Sequence, residues 1–204
     1  MNSNTTNRRK AVLAGHSGDY KLANSLLNDE NEKVRGAALS ALEKMGKLSG
    51  KILEKFIQDP SPEVRKRTIE LLAKRPEKIP LNILDDKDSL VVETACWAIG
   101  EKENPIPQLI NKLCLIADSH EDQLCREAAV ASLGAIGSPL GLETILAALK
   151  DKPAIRRRAV IALAAFEDPR VDEALKKSLD DRDWQVRQIA EDLLDANRVI
   201  THVD

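Results

Sequence analysis

The sequence predicts an all-α fold, a solenoid of about six stacked helical hairpins. A nine-residue pattern recurs six times, at intervals of about thirty residues. Within each copy the apolar residues fall on one stripe of an α-helix. Aromatic residues make up only 2% of the 204 residues. A compact single core normally uses aromatic rings as filler, so this scarcity favours many thin layers of aliphatic side chains.

Each copy of the pattern begins at a small or β-branched apolar residue, which we call the anchor. Further small or apolar residues follow at positions +4, +7 and +8 after it, and arginine often follows at +1. These positions share one helical face, so no helix can bury its stripe without a neighbour. The copies are VRGAALSAL from Val34, VRKRTIELL from Val64, VVETACWAI from Val91, CREAAVASL from Cys125, IRRRAVIAL from Ile155 and VRQIAEDLL from Val186.

Turn and capping residues separate the helices. Stretches such as QDPSPEV and DDRDWQV precede the anchors, where aspartate and serine can accept the free N–H groups of a first helical turn. Gly46, Gly137 and Pro169 indicate where an anchor-bearing helix ends and a second amphipathic helix begins. We call the anchor-bearing helices A helices and the second ones B helices.

The repeats are predicted to form one domain over residues 8–198, between disordered tails at 1–7 and 199–204. Before the first anchor, RRKAVLAGHSGDYKLANSLLN has Ala11 and Ala14 at the stripe spacing, which predicts a degenerate N-terminal cap. The acidic last helix is typical of the other end of a stack, where a polar outer face is needed. Trp184, in the turn before the last anchor, is expected to cover that end.

Charge and cysteine content indicate a cytoplasmic protein. The net charge is −2, but residues 1–78 carry +6 and the remainder −8; this asymmetry either steers a charged partner or is a random spread over solvated faces. Three cysteines without a C-x-x-C pair indicate neither a disulfide framework nor a zinc site. The first ten residues contain no apolar segment typical of a secretory signal, and no run approaches the roughly 18 apolar residues of a membrane span.

The repeats resemble HEAT repeats, specifically the HEAT-like type of phycobilisome (PBS) lyase subunits. The resemblance implies a right-handed, armadillo-like superhelix with the A helices on its concave side. It also implies a ladder of aspartate and arginine, six residues apart, that ties successive repeats together. Three repeats keep that spacing, whereas repeat three has Val92 in place of arginine, and repeats four and five have His120 and Lys150 in place of aspartate, which predicts an interrupted ladder. The retained pairs are Asp29 with Arg35, Asp59 with Arg65, and Asp181 with Arg187.

The sequence contains no recognisable catalytic motif. It lacks a nucleophile elbow, a glycine-rich phosphate loop and an H-E-x-x-H zinc motif. Deoxyhypusine hydroxylases share the HEAT-like fold and bind iron through repeated His-Glu pairs, but only His120-Glu121 forms such a pair here. We therefore expect no metal, no cofactor and no catalytic residue.

The face of the A helices away from the stripe, at positions +2, +5, +6 and +9, is the expected binding surface. In repeats three to five these positions are mostly apolar, where a solvated surface would carry polar groups. This predicts a groove, anchored at Trp97, for a protein or peptide partner, although the residues at +5 and +6 can instead pack between repeats. The predicted groove residues are Trp97, Cys96, Arg126, Val130, Arg156, Arg157 and Ile161.

Two other functions stay open at this point. The resemblance admits a bilin (phycobiliprotein) lyase or isomerase accessory subunit. A cluster of basic residues admits nucleic-acid binding of the kind that HEAT-like DNA glycosylases use, although a pI of about 6.0 and few aromatics disfavour it. That predicted basic patch comprises Arg65, Lys66, Arg67, Lys74 and Arg75.

Overall fold

The computed structural model describes residues 3–200, and the side chains of residues 5–196. Within residues 3–200 every regular element is a helix: twelve α-helices and two short 3-10 helices. The all-α prediction is therefore confirmed. Contacts divide the chain into two compact units, Met1–Ala95 (unit 1) and Cys96–Asp204 (unit 2), and the boundary falls inside one A helix.

Unit 1 contains the N-terminal cap and the first repeats. Its elements are α1 (Ser3–Ser17), α2 (Tyr20–Leu26), α3 (Glu32–Lys44), α4 (Gly50–Phe56), α5 (Pro62–Ala73), a 3-10 helix (Leu81–Asp85) and the first part of α6 (Ser89–Gly100). The short 3-10 helix stands where the second repeat would have a B helix.

Unit 2 contains the rest of α6 and five further α-helices. These are α7 (Pro107–Ser119), α8 (Gln123–Ile136), α9 (Leu142–Ala148), α10 (Pro153–Leu163), α11 (Pro169–Ser178) and α12 (Trp184–Ile200), with a 3-10 helix at Pro139–Gly141. Gly137 ends α8 in a left-handed conformation with φ 63°, which a glycine adopts without steric cost. Asp168 caps α11 by accepting the N–H of Arg170, and proline occupies the first helical position.

The predicted tails differ from the structure. Helix α1 begins at Ser3 and not at residue 8, and α12 continues to Ile200. Residues 1–2 and 201–204 of the predicted tails lie outside the described residues.

The predicted stripe is the buried face of the A helices. All six anchors and all six +4 positions are buried. Position +5 was expected on the outward face, but it is fully buried in repeats one to five; only in repeat six, where it is Glu191, is it exposed. The stripe is therefore one position wider than the sequence indicates.

Small residues let neighbouring A helices approach closely, as the sequence predicts. A Cβ on Gly15 would lie 2.9 Å from the Cα of Ala41, and a Cβ on Gly134 would lie 2.5 Å from the Cβ of Ala162. Real Cβ atoms do not approach so closely, so these two contacts admit only glycine. In unit 2, α8 packs against α10 and, through Ser132, against Gly100 of α6.

An arginine–aspartate ladder joins successive repeats within each unit, but its pairing differs from the prediction. In repeats one, two, four and five, the arginine at +1 makes a two-pronged ion pair, through Nε and Nη2, with an aspartate 21 to 25 residues later, at N···O distances of 2.6 to 3.2 Å. The four pairs are Arg35–Asp59 and Arg65–Asp86 in unit 1, and Arg126–Asp151 and Arg156–Asp181 in unit 2.

The contact six residues back also exists, but it is made to the main chain. The Nη1 of Arg35, Arg65, Arg126 and Arg187 donates to the carbonyl oxygen six residues earlier, at 2.7 to 3.0 Å. One arginine therefore bonds its own capping turn and the aspartate of the next repeat. The aspartate in turn accepts the N–H two residues on, as Asp59 does from Ser61, which closes an Asx-turn at the helix start.

The ladder continues through repeat five, where an interruption was predicted. Asp151, one residue after Lys150, accepts the side chain of Arg126, so this part of the prediction is wrong. The remaining departures are Val92, which stands in place of the arginine of repeat three, and His120, which stands in place of the aspartate of repeat four.

Candidate binding surface

Four of the predicted groove residues serve the fold. Cys96 and Val130 are fully buried, because position +5 packs between A helices. Arg126 and Arg156 are ladder residues whose side chains pair with Asp151 and Asp181. The expectation that these four side chains line an open groove is corrected accordingly.

The exposed remainder of the predicted groove is a short apolar row in unit 2. Trp97, Ala131 and Ile161 occupy position +6 of α6, α8 and α10; Trp97 is 39% exposed, Ile161 is 48% exposed and Ala131 is half-buried. We call these three residues the +6 row. Arg157 lies near one end of the row, with its guanidinium bound to Asp183 at 2.6 Å.

The predicted basic patch is partly neutralised. Arg65 is buried and pairs with Asp86, while Arg75 bonds Glu43 and Glu77. Arg67 bonds Glu70 and Ser40. The two lysines, Lys66 and Lys74, are half-buried and exposed respectively. The patch therefore offers fewer cations to a phosphate backbone than the sequence indicates.

Unit 1 has a second concavity that the sequence analysis missed. A groove of about 390 Å³ lies along α1, α3 and α5, which falls in the size range of ligand sites. Its floor is formed by glycine, alanine and serine residues, and most of the charged residues at its rim are basic. The lining residues are Arg8, Val12, Gly15, His16, Glu32, Lys33, Gly36, Ala37, Ser40, Ala41, Lys44, Glu63 and Arg67. The excess of basic over acidic residues in residues 1–78 was the signal that pointed to it.

The structure also places three further residues that the sequence made conspicuous, namely His120, Trp184 and Cys114. His120 takes the place of the capping aspartate, with its Nδ1 accepting the N–H of Asp122 at 3.1 Å. Trp184 was expected to cover the end of the stack, but it is 64% exposed. Cys114 is half-buried, and burial raises the pKa of its thiol.

The described residues contain neither a metal-binding cluster nor a helix that could span a membrane. No group of three or more His, Cys, Asp or Glu side chains in this part of the chain is placed to hold a metal ion. None of its helices combines the length and apolar character needed to cross a bilayer.

Comparison with known proteins supports the repeat class. Residues 110–195 match the family model for HEAT repeats. No curated protein matches the sequence.

Solved structures match the fold at low sequence identity. A designed armadillo repeat protein in complex with the peptide (KR)4 is 18% identical, with a TM-score of 0.64 over 87% of this chain and 98% of that one. Two engineered proteins from the Northeast Structural Genomics Consortium are each 19% identical and cover 87% of this chain, with TM-scores of 0.63 and 0.60 over 97% and 95% of theirs. The HEAT-repeat match and these structures together support a HEAT-like repeat protein of the armadillo/HEAT helical class.

Proposed function

We propose that this protein is a non-catalytic scaffold that binds a protein or peptide partner on the exposed face of its A helices. The observation that carries the proposal is the +6 row in unit 2. Trp97 and Ile161 expose large apolar surface at equivalent positions of α6 and α10, with Ala131 of α8 at the same position between them, and exposed apolar surface of this kind often marks an interaction site. The peptide complex of the designed armadillo repeat protein is consistent with this use of the fold.

The side chains in and beside the +6 row suit a peptide ligand. Trp97 offers a large, stiff side chain of the kind that dominates interface energies. Ala131, between Trp97 and Ile161 in the row, leaves room for a partner side chain above it. Arg158 and Glu127, on the same two helices as Ile161 and Ala131, form an ion pair with 3.0 Å between Nε and Oε1, and such a solvated pair can reorganise to accept polar groups of a partner.

Selection from a displayed random-peptide library against the full chain tests the proposal. Peptides that bind the wild type should lose binding to Ile161→Glu and keep it on Leu115→Glu, because Leu115 is an exposed leucine on the B helix α7. Full binding of every selected peptide to Ile161→Glu would refute the +6 row as the site.

A fluorescence measurement gives an independent readout. The chain has two tryptophans, so Trp184→Phe leaves Trp97 as the reporter. A bound apolar side chain removes water from the indole, so its emission should shift to shorter wavelength when a selected peptide is added. An unchanged spectrum at saturation would place the bound peptide elsewhere.

A further inference from the structure

The groove of unit 1 has a direction, because its helices run parallel. Along α1 and α3, Asn7 meets Asp29, Gly15 lies against Ala41, and Lys44 reaches His16. The contacts therefore follow the same order along both helices, from the N-terminal end to the C-terminal end.

The charges differ between the two ends of the groove. The N-terminal end is mixed, with Glu32 and Glu63 in the first turns of α3 and α5, beside Arg8 and Lys33. The middle and the C-terminal end contain only basic and neutral lining residues.

At that C-terminal end, Lys44 Nζ lies 2.9 Å from Nδ1 and 3.1 Å from Nε2 of His16. Arg67 Nε donates to Ser40 Oγ at 3.0 Å, and its Nη1 bonds Glu70. Within the residues that the structure describes, neither Lys44, Lys33 nor Arg8 forms an ion pair with a carboxylate. Lys44 therefore leaves positive charge at this end of the groove for a ligand to neutralise, whereas the guanidinium of Arg67 is already paired with Glu70.

The floor admits a main chain. A Cβ on Gly36 would meet nothing within 4 Å, so open space lies over the middle of α3, next to the small side chains of Ala37 and Ser40. From Glu32 to Lys44 the helix rises about 18 Å, which an extended peptide of five or six residues spans.

We propose that the unit 1 groove binds an extended acidic peptide segment, with a carboxylate at Lys44 and its main chain over Gly36. The proposal deepens the scaffold function but depends on different residues from the +6 row. The opposite charges of ligand and rim speed encounter and fix the register, and both effects weaken as salt rises.

Fluorescence anisotropy with labelled five-residue peptides tests this on the full chain. The acidic probes are two glutamates followed by Gly-Ala-Gly, and the reversed sequence, since either chain direction fits; the control probes carry lysines in place of the glutamates. We expect an acidic probe to bind, with affinity falling as NaCl is raised, and the lysine probes not to bind. Equal binding of the lysine probes, or no binding of either acidic probe at low salt, would overturn the proposal.

Three variants locate the site. Lys44→Glu should weaken the acidic probe by about five- to thirtyfold, because an attraction is replaced by a repulsion. The matched control Lys51→Glu, an exposed lysine on α4, should change it less than about twofold. Gly36→Leu fills the open space and should abolish binding, while the thermal midpoint stays equal to or above the wild type because leucine is the better helix former.

Opposite results separate this inference from the scaffold function. Equal weakening by both lysine reversals, or retained binding by Gly36→Leu, would refute the groove. If the acidic probes fail while library peptides still depend on Ile161, the groove proposal alone is wrong. If the acidic probes bind and no peptide depends on Ile161, the +6 row is wrong and the groove stands.

Discussion

Removing one carboxylate from the ladder should cost unit 2 a large share of its stability. In the Arg156–Asp181 pair the side chains are 5% and 16% exposed, and both Nε and Nη2 donate to the carboxylate at 2.8 Å. Asp181→Ala leaves the guanidinium with only its Nη1 bond to the carbonyl of Asp151.

The magnitude follows from this geometry. Breaking a buried pair by removing one partner costs about 3–5 kcal/mol, and losing the Asx-turn bond to the N–H of Asp183 adds about 1 kcal/mol. Because Asp181 is partly solvated, water replaces some of the lost interaction. We expect a loss of about 3 kcal/mol, a large part of a typical domain stability of about 5–15 kcal/mol.

Urea unfolding followed by far-UV circular dichroism measures this loss. The control is Glu127→Ala, whose partner Arg158 is 51% exposed, and it should change stability by no more than about 1 kcal/mol. The double variant Arg156→Met/Asp181→Leu replaces both charges with apolar groups and should recover most of the loss. A loss below about 1 kcal/mol for Asp181→Ala, or a double variant no more stable than the single one, would refute a structural role for the ladder.

Two further predictions concern packing and pH. Gly134→Ala should destabilise by about 1–3 kcal/mol, because its Cβ would overlap Ala162, whereas Gly36→Ala should stabilise by about 0.5–1 kcal/mol in open space. Urea unfolding of both variants checks this, and a Gly134→Ala variant as stable as the wild type would contradict the close contact. The pKa of Asp181 is lowered, chiefly by the hydrogen bond from Arg156, so its contribution is complete above the unfolded pKa of about 3.9 and is lost as pH falls through the lower folded value. Going from about pH 6 to about pH 3 should therefore destabilise the wild type more than Asp181→Asn, and equal losses would contradict the pairing.

The repeats were predictable because they depend on local periodicity. The anchors and the +4 positions lie on one face whatever the neighbours are, so Val34 and Ala38 were assigned correctly from the sequence alone. Position +5 lies about 140° around the helix from the anchor, at the edge of the stripe. Whether Val130 at that position is covered depends on how closely α10 approaches, which the pattern of one helix does not contain.

The ladder shows a second limit of sequence reasoning. The spacing of six residues between aspartate and arginine reflects a hydrogen bond from the arginine to a main-chain carbonyl, as from Arg65 to Asp59. Every residue has such a carbonyl, so the sequence does not reveal this bond. The ion pairs connect residues more than twenty positions apart, and the shift from Lys150 to Asp151 hid one of them. The unit 1 groove was missed because its floor is made of residues that have no side chain, or a small one, to attract notice.

Because each ladder arginine pairs with an aspartate of the next repeat, the ladder also limits how repeats of this chain can be exchanged with those of another solenoid. A repeat transferred to another solenoid carries an aspartate at its start that pairs with the arginine of the preceding repeat. It also carries an arginine that pairs with the aspartate of the following repeat. A chimera joined to a module that lacks the complementary groups would leave one unpaired ion at each junction, so the joined module has to supply the matching arginine or aspartate.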